Sequence, residues 1–310
     1  MLTYPFIQCD VFTDQIFAGN PLAVFHDEVA NQTLDDATMQ KIAREMNLSE
    51  TVFVLPPRDP QALKRLRIFT PGTELPMAGH PVVGTWNMLA RLGVVAPPAS
   101  STGRVTIQQE IKLGILPVAI DFADSQPVKV TMTQGTPSVG EPLDEIALCA
   151  RALGLKEDDI GGWGLPVVVA STGVPYQIIP VRDKAALSRI KINAQALAEI
   201  LQKVNDHAVY VVTRETHAPQ AFVSARMFGG ESVGVGEDPA TGSAAGPCAA
   251  ALVHYGLAPS QFVIEQGVDM GRPSYIEAEV EGVAGNVNVV RIGGKAVLVL
   301  RGALELPDAP

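Results

Sequence analysis

Charge of one sign is nowhere massed in this chain: 23 Lys and Arg face 33 Asp and Glu across 310 residues, for a net charge of −10, and no basic block occurs. Binding to phosphate backbones needs clustered cations, so nucleic acid is not an expected partner. Cysteine is scarce as well. Cys9, Cys149 and Cys248 are far apart and odd in number, which excludes a disulfide framework and any zinc-site spacing and fits a reducing compartment. No apolar run approaches the ~20 residues of a membrane span, the longest helical one being Ala244 to Val253. Met1 to Pro5 has neither the basic flank nor the apolar stretch of a signal peptide. A cytoplasmic protein without membrane association is expected. Nucleotide fingerprints are missing too, because Gly293-Gly294-Lys295 lacks the preceding spacing of a phosphate loop and reads as a hairpin turn. The chemistry is therefore expected from side chains alone, with no metal and no cofactor.

Hydrophobic residues make up 47% of the chain and charged ones 18%, enough apolar material for two buried cores in a chain of this length. Phe6 to Phe12 and Leu22 to Phe25 read as strands flanking the turn Gly19-Asn20-Pro21. A helical pattern runs from Leu34 to Met46 behind the capping residue Thr33, and strands follow at Thr51 to Leu55 and Leu66 to Phe69. Val105 to Ile111 and Ile115 to Phe122 form an expected hairpin, with a further strand at Val128 to Gln134. Helical stretches at Pro142 to Leu153 and Ala194 to Lys203 lie among strands at Val167 to Ala170, Tyr176 to Val181, Ala208 to Thr213 and Phe222 to Phe228. More strands follow towards the end of the chain. Strands outnumber helices and several adjacent pairs are antiparallel by their short turns, so the expected class is α+β, with a domain boundary between Ala123 and Pro127.

Two glycine-bearing stretches, one in each half, open onto apolar helices. Ala78-Gly79-His80-Pro81 leads into a helix that stops at Gly93, and Glu237-Asp238-Pro239-Ala240-Thr241-Gly242-Ser243 leads into one that stops at Gly256. Gly79 to Gly93 and Gly242 to Gly256 have equal spacing, and each mouth is preceded by an Arg-x-Phe strand, Arg67-Ile68-Phe69 and Arg226-Met227-Phe228. A helix start presents unpaired N–H groups and partial positive charge, and glycine lets a ligand approach that backbone. Two facing mouths of this kind would hold a small carboxylate.

Glu50 stands where Asn47-Leu48-Ser49 gives way to the apolar strand Thr51 to Leu55, a position of partial desolvation that would suit a proton-transferring carboxyl. It reads equally as a loop glutamate on the surface. His80 offers a neutral imidazole at a helix start, or serves as a capping or core histidine. Asp238 is a candidate site carboxylate or an N-cap, and Ser243 a ligand-binding hydroxyl or a turn residue. Cys248, inside the second helix, reads as core.

These motifs resemble those of the PhzF-like family of phenazine biosynthesis, within the diaminopimelate epimerase-like superfamily. The resemblance rests on Asp10-Val11-Phe12-Thr13 with Gly19-Asn20-Pro21, Ser49-Glu50-Thr51-Val52-Phe53, Met77-Ala78-Gly79-His80-Pro81, Glu237 to Ala244, and Gln266-Gly267 with Gly271-Arg272-Pro273-Ser274. It implies two pseudo-symmetric domains, each a curved, mostly antiparallel, barrel-like sheet around a central helix, with the active site in the cleft between them. The domains would be 1–124, rejoined by about 303–310, and 125–302. It also implies a homodimer working without cofactor on a small anionic carboxylate. Glu50, His80 and Asp238 match the family's catalytic residues; Gly79, Gly242 and Ser243, joined by Asn20 and Thr241, are the expected substrate-binding residues.

Epimerases of the superfamily use two thiols, one at each mouth, whereas the matching positions here are Ala78 and Pro239. A single carboxylate that moves a proton between carbons on one face, an isomerisation, is the expected chemistry. The alternatives are an amino-acid epimerase or racemase, or a non-catalytic protein that retains the cleft to bind small molecules.

Overall fold

The computed structural model describes residues 2–205, 207–229 and 236–307. The chain falls into two compact units, Met1–Thr133 with Gly293–Pro310, and Gln134–Ile292. Both crossings lie inside the stretch expected for the second domain. The first unit takes in the whole strand Gln126–Thr133 after residue 124 and the part of strand Ala296–Leu306 that precedes residue 303, because both strands are hydrogen-bonded into its sheet.

In the first unit the strands are β1 (Leu2–Val11), β2 (Asn20–Phe25), β3 (Glu50–Leu55), β4 (Lys64–Phe69), the two-residue β5 (Glu74–Leu75), β6 (Gly103–Ile111), β7 (Gly114–Ala123) and β8 (Gln126–Thr133). Its helices are α1 (Glu28–Asn31), α2 (Asp36–Met46) and α3 (Gly79–Arg91). The second unit has β9 (Ser138–Pro142), β10 (Val168–Ser171), β11 (Pro175–Pro180), β12 (Ala208–Thr213), β13 (Val223–Gly229), the two-residue β14 (Glu237–Asp238), β15 (Gln261–Gln266) and β16 (Ser274–Val283). Its helices are α4 (Ile146–Leu153), α5 (Lys184–Ser188), α6 (Ala194–Leu201) and α7 (Gly242–His254). Strand β17 (Asn286–Gly294) leads back to the first unit, where β18 (Ala296–Leu306) pairs with β1.

Neighbouring strands run in the order β18, β1, β2, β3, β4, β6, β7, β8 in the first unit, with only the β2–β3 and β4–β6 pairs parallel. In the second unit the order β9, β10, β11, β12, β13, β15, β16 repeats the scheme, with β11–β12 and β13–β15 parallel. The strands β5 and β14 each pair antiparallel with the strand before them. One fold has been written twice.

Each unit wraps its sheet around one helix. Helix α3 touches β18, β1, β2, β3 and β8, strands that lie at both ends of the order, so the sheet curls round it. All residues of α3 from Gly79 to Ala90 are buried, and in α7 every residue except Ser243 and His254. Because no face meets water, both helices are dominated by apolar and small residues all round, His80, Thr85 and Asn87 being the polar exceptions in α3 from Gly79 to Ala90. Both end alike: Gly93 and Gly256 take positive φ, and Val94 N–H donates to the Leu89 carbonyl as Leu257 N–H does to that of Leu252. This left-handed stop is the reason for a glycine at both places.

Several expected boundaries shift. Helix α2 begins at Asp36 behind Asp35, whose side chain accepts from Thr38 N–H, so Asp35 and not Thr33 is the cap. Helix α4 starts only at Ile146, the preceding Ser138 to Pro142 being strand. Gly293 and Gly294 are strand residues, not a hairpin turn. A Cβ at Gly293 would lie 2.7 Å from the Val130 carbonyl oxygen, so close approach explains that glycine.

Gly84 is the contact that lets α3 sink into its sheet. A Cβ there would meet Val11 Cγ2 at 2.6 Å and Leu22 Cδ2 at 2.7 Å, both on fully buried side chains. Overpacking of a filled core costs about 1–3 kcal/mol. Gly84→Ala is expected to lower the unfolding free energy by that amount in urea titration, and an unchanged midpoint would contradict the packing argument.

Candidate active site

In the first unit the first residue of β3, the second residue of α3 and the first residue of β2 bring their side chains together. Glu50 Oε2 lies 3.2 Å from His80 Nε2, the two side chains being 14% and 5% exposed. Asn20 Nδ2 lies 3.3 Å from His80 Nδ1. An amide nitrogen only donates, so Nδ1 is the acceptor and the imidazole proton sits on Nε2, facing the glutamate. Burial drives the His80 pKa down to about 3. The pair is thus a neutral imidazole N–H beside a carboxyl, without hydrogen-bond alignment, and not an ion pair at neutral pH.

The second unit builds its mouth from β14 and α7. Thr241 donates its hydroxyl to Asp238 Oδ2 at 2.5 Å. Gln266 ties this turn from below: its Nε2 donates to the Asp238 carbonyl at 2.7 Å and to Thr241 Oγ1 at 3.0 Å, while its Oε1 accepts from Thr241 N–H at 3.1 Å and from Tyr210 OH at 2.9 Å. Ser274 Oγ donates to the Pro239 carbonyl at 2.9 Å. The segment from Gln266 to Ser274 therefore braces the Asp238 turn. The Gly242 carbonyl accepts from Gln134 Nε2 at 2.8 Å, and Ser243 Oγ lies 2.7 Å from Tyr176 OH.

A bidentate arginine clamps each short strand that leads to a mouth. Arg67 Nε and Nη2 reach Glu74 at 2.7 and 2.9 Å, and Arg226 reaches Glu237 at 2.7 and 2.8 Å. Each guanidinium also lies over the phenylalanine two residues on, 5.0 Å from the Phe69 ring and 4.9 Å from the Phe228 ring. A two-residue strand has too few ladder bonds to hold itself, and the planar fork supplies the missing constraint. Asp238, adjacent to Glu237, inherits a fixed position.

Within the first unit the structure gathers Glu50, His80, Asn20 and the start of α3 at Gly79; within the second it gathers Asp238, Thr241, Gly242 and Ser243. Neither helix start is capped by a side chain of its preceding residue, Ala78 or Thr241. Because Thr241 precedes Gly242 as Ala78 precedes Gly79, the position equivalent to Ala78 is Thr241, and Pro239 is not. The conclusion about thiols is unaffected. Cys9, Cys149 and Cys248 are all buried and lie away from both helix starts, and burial pushes their thiols up, that of Cys149 to about 12. Gln266 stood in the sequence only as part of a family motif and Tyr176 only as a strand residue, neither with a role, although Gly173-Val174-Pro175 before Tyr176 repeats the Gly-x-Pro of Gly19-Asn20-Pro21 and pointed there.

The family model for phenazine biosynthesis-like proteins matches residues 9–302. An uncharacterised isomerase of Mesorhizobium japonicum is 41% identical over 98% of this chain and 99% of its own length. The trans-2,3-dihydro-3-hydroxyanthranilate isomerase of Pseudomonas aeruginosa is 36% identical over 97% of this chain and 99% of its own. Among solved structures, a PhzF-family phenazine biosynthesis protein from Bacillus anthracis superposes with a TM-score of 0.86 at 26% identity, covering 99% of this chain and all of that one. No helix among the described residues is long and apolar enough to cross a membrane.

The depressed pKa of His80 carries a sign. Above pH 6.5 the imidazole is neutral folded and unfolded alike; as the pH falls from there towards 3, only the unfolded chain takes up the proton, so stability is lost. The slope is about 1.4 kcal/mol per pH unit for one such group. His80→Gln is expected to make the stability difference between pH 6.5 and pH 5 smaller by about 2 kcal/mol in urea titrations. The same difference in variant and wild type would show that His80 is not buried neutral.

Proposed function

We propose that this chain, which belongs to the phenazine biosynthesis-like protein family and is an isomerase, moves a proton between two carbons of a small carboxylate substrate through the Glu50 side chain. The observation that carries the reading is the buried Glu50–His80 pair at the start of α3, with Nε2–H of a neutral imidazole 3.2 Å from the carboxyl. Glu50 as carboxylate takes a proton from one carbon while the substrate double bond shifts. As carboxylic acid it returns the proton to the carbon at the far end of the shifted bond, so that no net proton or electron is exchanged with solvent. His80, fixed by Asn20, orients that carboxyl group. The amide N–H groups at the start of α3 by Gly79, and those at the start of α7 by Gly242, are each suited to a carboxylate, a helix start contributing ~0.3–1 kcal/mol, or more where it is dry. Asp238, held by Thr241 and the Gln266 brace, and Ser243 orient the substrate and stabilise charge as it develops.

The relative from Pseudomonas aeruginosa, named for trans-2,3-dihydro-3-hydroxyanthranilate, supports a cyclic hydroxy amino acid as the substrate class. Two-thiol epimerisation finds no support, since Ala78 and Thr241 occupy the positions before the two glycines. Turnover should be assayed first with trans-2,3-dihydro-3-hydroxyanthranilate and then with a panel of small cyclic carboxylates. Glu50→Gln is expected to lower kcat by about 10²–10⁴-fold with little change in melting temperature. In heavy water the wild-type product should retain substrate-derived hydrogen at the receiving carbon in early turnovers. Undiminished turnover by Glu50→Gln removes the carboxylate from the mechanism.

A further inference from the structure

The repeated fold allows the two mouths to be compared place by place. His80 and Ser243 are each the second residue of their helix. Glu50 on β3 stands opposite Leu22 on β2, and Ala208 on β12 stands opposite Tyr176 on β11. The second unit thus has alanine where the first has its carboxylate, and tyrosine where the first has leucine. The place is filled with different chemistry: Tyr176 OH lies 2.7 Å from Ser243 Oγ, and His207 Nε2, immediately before Ala208, lies 2.9 Å from the same hydroxyl. The imidazole meets the phenol ring edge-on with centroids 4.8 Å apart, so the contact is fixed by packing as well as by the hydrogen bond. Tyr176 is 1% exposed, whereas Ser243 and His207, at the two ends of the row, are partly open, and Ser243 is the end that stands at the start of α7.

A row of hydroxyls has a direction. If Tyr176 donated to His207, its oxygen would receive the Ser243 proton, and Ser243 would present only lone pairs to a ligand. If His207 Nε2–H donates to the Tyr176 oxygen, Tyr176 donates to Ser243 Oγ, and the Ser243 hydrogen is left to point outward. Only the second direction suits an anionic ligand. We propose that Tyr176 and His207 are positioning residues that make Ser243 a hydrogen-bond donor dedicated to the substrate carboxylate. The inference rests on the reading above, in which Ser243 binds that substrate.

The test compares two probes on the whole chain by calorimetric titration at pH 7: 3-hydroxyanthranilate, and 2-aminophenol, which is the same ring without the carboxylate. Wild type should prefer the carboxylate probe. Tyr176→Phe should weaken that probe about tenfold, the order of one charge-assisted hydrogen bond, and leave 2-aminophenol unchanged. His207→Leu should act in the same direction, and His207→Gln, which keeps an N–H donor, should recover most of the loss. The His207 pair decides the matter should Tyr176→Phe fold poorly. Equal weakening of both probes, or wild-type discrimination surviving both Tyr176→Phe and His207→Leu, overturns the proposal while leaving Glu50 chemistry untouched. Absence of any preference in wild type overturns the carboxylate reading itself, and this inference with it.

Discussion

A helix enclosed on every side by its own sheet is the constraint from which the rest follows. Helices α3 and α7 are buried around their whole circumference, so water cannot satisfy their first N–H groups along their length, only at the mouth. With no capping side chain at Ala78 or Thr241, each mouth keeps its donors and its partial positive charge for whatever arrives there. Enclosure also dictates composition. Gly84 and Gly246 occur where the helix presses against a neighbour, and a Cβ on Gly246 would fall 1.7 Å from Gln134 Oε1.

The duplicated frame and the unduplicated chemistry separate cleanly. Strand order, the parallel pairs, the arginine forks and the glycine stops recur in both units, because they solve the same problem of holding a short strand and ending a buried helix. The side chains at the mouths do not recur. Histidine, glutamate and asparagine meet in the first; serine, tyrosine, threonine and aspartate serve the second. Each mouth carries its own chemistry on a common frame, because a scaffold can be duplicated without duplicating what it presents.

Much of this was legible in the chain. Equal glycine spacing exposed both helices, Arg-x-Phe marked both clamps, and β-branched runs located most strands, since each is a local signal. Exact bounds were less so: Thr33 and Asp35, two residues apart, are both capping residue types and only the hydrogen bond to Thr38 N–H tells them apart, and the Gly293-Gly294 pair resembled a turn because close approach to Val130 is a long-range fact. The membership of β8 in the first unit was equally invisible, as pairing partners are not written next to one another, whereas the return of the last strand came from the family resemblance, only with too late a start. At the site, Glu50, His80 and Asp238 stood open by type and setting and took their expected roles from the family resemblance. Gln266 took none, for a glutamine that holds a turn through four hydrogen bonds differs in no local way from one that holds nothing.

Strand β18 carries one further implication. It is paired with β1 along almost its whole length, Val11 opposite Ala296 and Leu2 opposite Leu306, which brings into one ladder two strands separated in sequence by the whole second unit. On the ribosome, β1 emerges long before β18 and must wait until everything between them has been made. The intervening unit is a continuous segment and has all its strands in hand earlier. Closing so long a loop costs little more entropy than closing one of half the length, but it is slow. Birth order and completion order are therefore reversed: the unit whose first strand is made earlier is finished later.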